Sequence, residues 1–139
     1  MKDYVDIFNA SFVRALTNDS HNRDFISRFY DIFLAKSDDI AQLFADTSMS
    51  AQKTMLHDSL HHMLDFFKSA ETGPHMESIA QIHGPRHRAI SDEMYDLWLA
   101  ALMETLKEFD PKFDDDVELA WRLVLSPGIA YMKYMRDKT

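Results

Sequence analysis

The 139-residue chain contains no cysteine and only three glycines and four prolines. Without cysteine it has no disulfide framework, no thiolate metal site and no cysteine nucleophile. Scarce glycine and proline argue against a turn-rich β fold and favour long helices. No apolar run approaches the roughly 20 residues of a membrane span, and the first residues do not form a signal peptide. The sequence therefore predicts a cytoplasmic protein with no membrane partner.

Basic charge is also in short supply, because the formal net charge is −8. Binding to phosphate backbones requires a basic surface, so we expect no nucleic-acid partner. The length fits one domain covering residues 1–139. Ten Phe, five Tyr, two Trp and nine Met suit an apolar ligand cavity as well as an ordinary core, so composition leaves that choice open.

Apolar residues recur at spacings of three and four along most of the chain, which predicts an all-α fold of about seven helices, two of them short. Ser91 has the character of an N-cap, with acidic residues in the turn that follows it. The first predicted helix ends before Thr17, and the next four cover residues 23–35, 38–44, 49–69 and 75–83. A sixth helix begins after Ser91. Asp110-Pro111 separates the sixth helix from the last one, which begins near residues 114–116.

One short segment carries an unusual pair of histidines. His83 lies at the end of the predicted helix 75–83, immediately before Gly84-Pro85. A helix rarely continues through proline, because proline lacks an amide hydrogen and crowds the preceding turn. His87 follows four residues after His83, within a basic cluster. This arrangement presents a single imidazole at a helix end; the simpler interpretation is two surface histidines.

Several local patterns, in this order and spacing, resemble the globin family over essentially the whole chain. Those patterns are Phe29-Tyr30 with Phe44, as in bacterial globins and flavohaemoglobin globin domains; Gln52-Lys53-Thr54-Met55-Leu56, as in the distal helix of the same group; Ile79-Ala80-Gln81-Ile82-His83 with Arg86-His87 and Ile90, as in the proximal helix of myoglobin-like chains; and Ala120-Trp121-Arg122 through Ser126-Pro127-Gly128-Ile129-Ala130-Tyr131-Met132, as in the last helix of small single-domain bacterial globins.

The resemblance implies a globin-like helical fold around a haem pocket, with haem b as the cofactor. The residues that it assigns to cofactor binding are Phe44, Leu56, Ile79, His83, Arg86, His87, Ile90, Tyr95 and Trp98.

Haem iron takes a neutral imidazole as its axial ligand. His83 is the ligand that we favour, because an uninterrupted helix leads to it and Ile79 lies one turn back on the same face. His87 is the alternative, although Gly84-Pro85 would then fall within the turn that orients it. With His83 as ligand, Arg86 and His87 would supply hydrogen-bond donors to the haem propionates.

On the distal side the resemblance implies that Tyr30 and Gln52 bind the gas ligand. Tyr30 can donate through its hydroxyl and Gln52 through its amide. Bound dioxygen carries partial negative charge, so buried donors at hydrogen-bond distance would slow its release. Lys53 is the alternative to Gln52, because the chain is shorter than flavohaemoglobins around residues 45–51. Without the histidine signal, Tyr30 would be a core tyrosine and Gln52 a solvated helix residue.

In flavohaemoglobin-like domains, a tyrosine soon after the proximal helix and a glutamate near the end of the domain hydrogen-bond the proximal imidazole and increase its electron donation. By resemblance, Tyr95 could supply the tyrosine. This chain has no glutamate in the expected carboxy-terminal stretch, which puts a peroxidase-like increase in electron donation to the haem iron in doubt. No reductase domain follows Thr139 in this sequence. Repeated nitric oxide dioxygenation would therefore need a separate reductase, and enzymatic activity stays an open question.

The predicted function is reversible binding of dioxygen, and by resemblance of nitric oxide and carbon monoxide, at a pentacoordinate haem. Two alternatives are a haem-free globin-fold module that senses or binds a partner, and a haem-based gas sensor that acts through a separate protein. The sequence also places His57 and His61 one helical turn apart. Two such imidazoles can bind a metal from one helix face, but no third ligand is obvious, and a solvated polar face is the favoured interpretation.

Overall fold

The computed structural model describes residues 2–20, 22–69, 77 and 90–135. Within them the chain forms α1 (Tyr4–Thr17), β1 (Asp19–Ser20), β2 (Arg23–Asp24), α2 (Phe25–Leu34), α3 (Asp38–Leu43), α4 (Met49–Ser69), α5 (Asp92–Phe109) and α6 (Asp115–Met135). The all-α prediction is confirmed, with α3 as one of the two expected short helices. The predicted histidine helix at 75–83 falls almost entirely outside the described residues.

The second helix begins two residues later than the sequence predicted. Arg23 and Asp24 pair instead with β1 as a short antiparallel ladder. Asp24 has extended backbone angles, and its carboxylate accepts a hydrogen bond of 2.8 Å from the backbone N–H of Ser27. Asp24 is therefore the N-cap of α2, and this capping bond fixes the first helical residue at Phe25.

The helix start that was predicted at Ser91 is confirmed. The Ser91 hydroxyl accepts a hydrogen bond of 3.2 Å from the backbone N–H of Met94. Asp114 has the same role before α6, since its carboxylate accepts from the backbone N–H of Val117 at 2.9 Å. Each cap satisfies an amide that has no partner inside its helix, and the acidic residues that follow both caps complement the positive end of the helix dipole.

The core is an aromatic cluster centred on Trp121 of α6, whose side chain is completely buried. The ring of Phe8 lies 4.5 Å from it between centroids, and that of Phe12 lies 5.8 Å away, edge to face. Phe25 approaches the indole at 6.2 Å. These contacts join α1 and α2 to α6, because aromatic pairs at such distances add to the stabilisation from burial itself.

Helix pairing follows from this core. Helix α1 packs along α6, α2 packs along α5, and α4 packs against α6. The close approach of α4 and α6 depends on Gly128, because a Cβ there would meet the side chain of Met63 at 2.7 Å. None of the helices in the described part of the chain is long and apolar enough to cross a membrane.

A buried carboxylate ties the end of α5 to α1. Asp110 was predicted to separate two helices, and the structure shows that its side chain is fully buried. It accepts hydrogen bonds from Arg14 at 2.6 and 2.9 Å and from the Ser11 hydroxyl at 2.6 Å. The indole N–H of Trp121 donates in turn to the Ser11 hydroxyl at 2.9 Å. The three helices α1, α5 and α6 thus share one polar network inside the core.

Candidate functional site

A cavity of about 190 Å³ lies between α2, α3, α4, α5 and α6. One water molecule requires roughly 10–15 Å³ of such space, so the cavity far exceeds an ordinary packing defect. The described residues that line it are Tyr30, Phe33, Ile40, Leu43, Phe44, Gln52, Met55, Leu56, Ser59, Met63, Ile90, Met94, Tyr95, Trp98, Ile129 and Met132. Apart from a few polar side chains, the wall is aliphatic, aromatic or thioether.

Seven residues that the sequence assigned to the site occur together in this wall. They are Tyr30, Phe44, Gln52, Leu56, Ile90, Tyr95 and Trp98. They come from three helices, α2, α4 and α5, and from two connecting segments. Their individual roles remain predictions. The four others, Ile79, His83, Arg86 and His87, lie outside the described residues.

Tyr30 supplies a buried hydroxyl to the cavity, since only 3% of the residue is exposed. Burial raises the pKa of Tyr30 to about 12, and hydrogen bonding with Gln52 opposes this only in part. The hydroxyl is therefore neutral, and a donor, throughout the physiological pH range. It donates to the backbone carbonyl oxygen of Gln52 at 3.4 Å. A bond of that length is weak, so the proton is easily redirected to another acceptor.

Gln52 lines the cavity, whereas Lys53 does not appear among the described lining residues. The positive charge of Lys53 instead contributes to lowering the pKa of Asp24, after the larger effect of the hydrogen bonds from Ser27. Lys53 therefore acts on the start of α2 rather than on the cavity. This geometry favours Gln52 over Lys53 as the polar residue that α4 presents to the site.

Aromatic rings hold one another in place around Tyr30. The Phe44 ring lies 6.1 Å from that of Tyr30 and 6.0 Å from that of Phe33, in both cases edge to face. On the other side, Phe29 packs against Tyr30 at 5.0 Å and against Trp98 at 6.0 Å. Trp98, which the resemblance assigned to cofactor binding, is partly exposed and lines the cavity.

Methionines supply a part of the wall that the sequence did not assign to the site. They are Met55, Met63, Met94 and Met132. The two on α4, Met55 and Met63, could have been predicted from Gln52, because residues three, seven and eleven positions later lie on the same face of a helix. Flexible, polarisable thioethers adapt to irregular apolar ligands. Ile129 and Met132 of α6 fall within the carboxy-terminal pattern that resembles the last globin helix, but that pattern was not connected with the site.

Among solved structures, the chain resembles protein PA3967 from Pseudomonas aeruginosa PAO1, which is described as structurally highly homologous to a human hemoglobin. The two chains are 30% identical, with a TM-score of 0.85 over 96% of this chain and 98% of the other. This chain belongs to the globin-like family. No family model and no curated protein matches the sequence. The globin-like fold that the sequence predicted is confirmed; the flavohaemoglobin-like detail stays a prediction.

The cavity of this globin-like protein has a lining that fits a haem. Haem has two broad apolar faces, and most of the wall is apolar. Polar lining side chains are few, and two of them, Tyr30 and Gln52, are neighbours, which suits a small polar ligand beside an apolar cofactor. An ordinary closed core would fill this space with side chains instead.

Proposed function

We propose that this protein is a haem-binding globin that reversibly binds dioxygen, and also nitric oxide and carbon monoxide. The observation that carries the proposal is the pairing of Tyr30 with Gln52 in the wall of an otherwise apolar cavity, within a globin-like fold. Neither a plain core nor a surface groove calls for a buried hydroxyl that is only weakly bonded at 3.4 Å.

The cofactor in this proposal is haem b, which supplies an iron that binds a diatomic gas when the haem is in place. Phe44, Leu56, Ile90 and Trp98 would contact its apolar faces and edges. His83 is the proposed axial ligand. In the same segment as His83, Ile79 would lie one turn earlier on the same helix face, and Arg86 and His87 would bind the haem propionates.

The chain's own residues then set how long a gas ligand stays. Tyr30 donates its proton to an acceptor in the cavity, and Gln52 offers its amide as a second donor. Leu56 is 5% exposed and, with Phe44, excludes water that would compete for these donors. Donors in a dry pocket contribute more than they would in water, so this pair favours slow ligand release.

Tyr95 and a source of electrons complete the proposal. Tyr95 lines the cavity from α5 and is proposed to lie beside the proximal half of the haem. Turnover of nitric oxide would consume electrons, and the proposed partner for that activity is a separate reductase.

The deciding experiment is a titration of the purified protein with haemin, followed by reduction and exposure to carbon monoxide. We expect a saturable one-to-one Soret band that shifts with carbon monoxide. Val13→Ser is a suitable control, because Val13 is 62% exposed and is not among the cavity-lining residues. Absence of the band, with unchanged helical circular dichroism, would instead identify a haem-free module.

Replacing Tyr30 with phenylalanine should speed dioxygen dissociation from the haem-loaded protein. The change removes one donor to a partly charged acceptor, a bond worth about 1.5–3 kcal/mol, so we expect an acceleration of roughly ten- to hundredfold. Stopped-flow measurement with Tyr4→Phe as the control tests this, since Tyr4 is not a described lining residue. An unchanged rate in Tyr30→Phe would remove this hydroxyl from the site.

A further inference from the structure

A second side-chain cluster lies on α4, on the face that meets α1 rather than the cavity. The imidazole rings of His57 and His61 are 5.1 Å apart between centroids. Both contact the ring of Phe12, at 6.0 Å and 5.0 Å respectively. From this geometry we propose that His57 and His61 form a surface site for a zinc ion. The proposal is independent of the proposed haem function.

The spacing of the rings fits one shared ion. With a zinc–nitrogen distance of about 2.0–2.1 Å and a nitrogen about 1.1 Å from its ring centre, the ion lies about 3.2 Å from each centre. With one nitrogen of each ring turned toward the ion, ring centres 5.1 Å apart subtend roughly 105–110° at it. This angle is close to tetrahedral, the geometry that zinc adopts in proteins, and is wider than the right angle of octahedral or square-planar ions.

A neighbouring carboxylate favours the correct tautomer of one ligand. The Nδ1 atom of His57 lies 3.4 Å from a carboxylate oxygen of Asp58. A neutral imidazole that donates Nδ1–H in this direction keeps its lone pair on Nε2, which is the atom a metal needs. A carboxylate behind a metal-binding histidine is the usual second partner of such sites, and it also makes the nitrogen more basic.

Phe12 reduces the entropic cost of binding. Its ring is fixed in the core, with 4% of the residue exposed, and the two imidazoles pack against its outer side. Their freedom of rotation is thus already restricted before an ion arrives, and preorganised ligands lose less conformational entropy on binding. The side chain of His57 remains 42% exposed and His61 is exposed, so an ion can reach the pair from solvent.

The site supplies only two protein ligands. Within the described ranges, no group of three or more histidine, cysteine or acidic side chains is placed to hold a metal ion. Water would complete the tetrahedron, and binding would be reversible and weaker than at four-ligand structural sites. Because the two ligands come from adjacent turns, a bound ion would stabilise the middle of α4, the helix that also supplies Leu56 and Met63 to the cavity wall.

Isothermal titration of the full chain with zinc chloride tests this proposal. The second imidazole binds an ion already held by the first, so losing either should weaken this site at least about tenfold. We expect that loss in His57→Gln and in His61→Gln. His62→Gln is the matched control on the same helix, and it should bind zinc like the wild type. Any zinc binding by the remaining histidines of the chain is a background common to all three variants.

Nuclear magnetic resonance of the imidazole protons supplies a second readout. In the wild type, zinc should shift the signals of His57 and His61 together at the same stoichiometry. The proposal is overturned by a smaller than tenfold loss in either variant, by an equal loss in His62→Gln, or by zinc-induced shifts that spare one of the two rings.

Discussion

The variant His83→Ala is expected to lose stable haem retention, while His87→Ala keeps it. An imidazole in the axial position contributes a direct bond to the iron, and no other side chain of the segment is proposed to replace it. Removing even a residue that only supports a metal ligand weakens binding about ten- to hundredfold, so loss of the ligand should exceed that range. Haemin titration followed by gel filtration measures the haem that each variant keeps.

The two histidine variants control one another, because each removes one imidazole from the same basic cluster. Unchanged helical circular dichroism in both would show that any loss of haem reflects ligation rather than unfolding. A normal spectrum in His83→Ala with loss in His87→Ala would reverse the assignment. Normal spectra in both would show that neither imidazole alone is required as the axial ligand.

Asp110→Ala should lower the free energy of unfolding by about 3 kcal/mol, the low end of the range for breaking a buried ion pair, because a quarter of the Arg14 side chain remains exposed to water. The change leaves the Arg14 guanidinium and the Ser11 hydroxyl without the carboxylate that accepts from them. Urea denaturation measures the effect. The exposed pair of Lys2 with Asp116 gives the control, since Lys2→Ala should leave the stability nearly unchanged. An equally small effect for Asp110→Ala would contradict the role assigned to this network.

The contribution of Asp110 should also depend on pH. Burial by itself would raise the pKa of Asp110, but hydrogen bonds from Arg14, Ser11 and the backbone N–H of Lys112 outweigh it and hold the pKa below its usual value. A carboxylate with a lowered pKa stabilises the fold fully above its unfolded pKa, and this stabilisation is lost as the pH falls through the folded value. The stability difference between wild type and Asp110→Ala should therefore narrow in acid; a constant difference would argue against an ionised Asp110.

Much of the site was accessible to sequence reasoning because it depends on residue type and helical spacing. Tyr30, Gln52 and Leu56 were recognised from short patterns, and all three line one cavity. The thioether wall was not assigned, because a methionine on a helix face has the same local pattern whether it fills a core or borders a cavity. Ile129 and Met132 were not assigned either, because their apolar side chains fit a closed helix–helix contact equally well.

Local interactions allowed the sequence alone to determine the helices and several of their ends. Apolar residues at spacings of three and four define a face within one segment, and the N-cap at Ser91 involves atoms only three residues apart. Distant partners decided the rest. The Asp110 side chain is buried because Arg14, 96 residues away in the chain, reaches it. Likewise, the cavity exists because five helices approach without filling the space between them. Such contacts follow from how the faces pack in three dimensions, and the periodicity of a single helix contains no information about them.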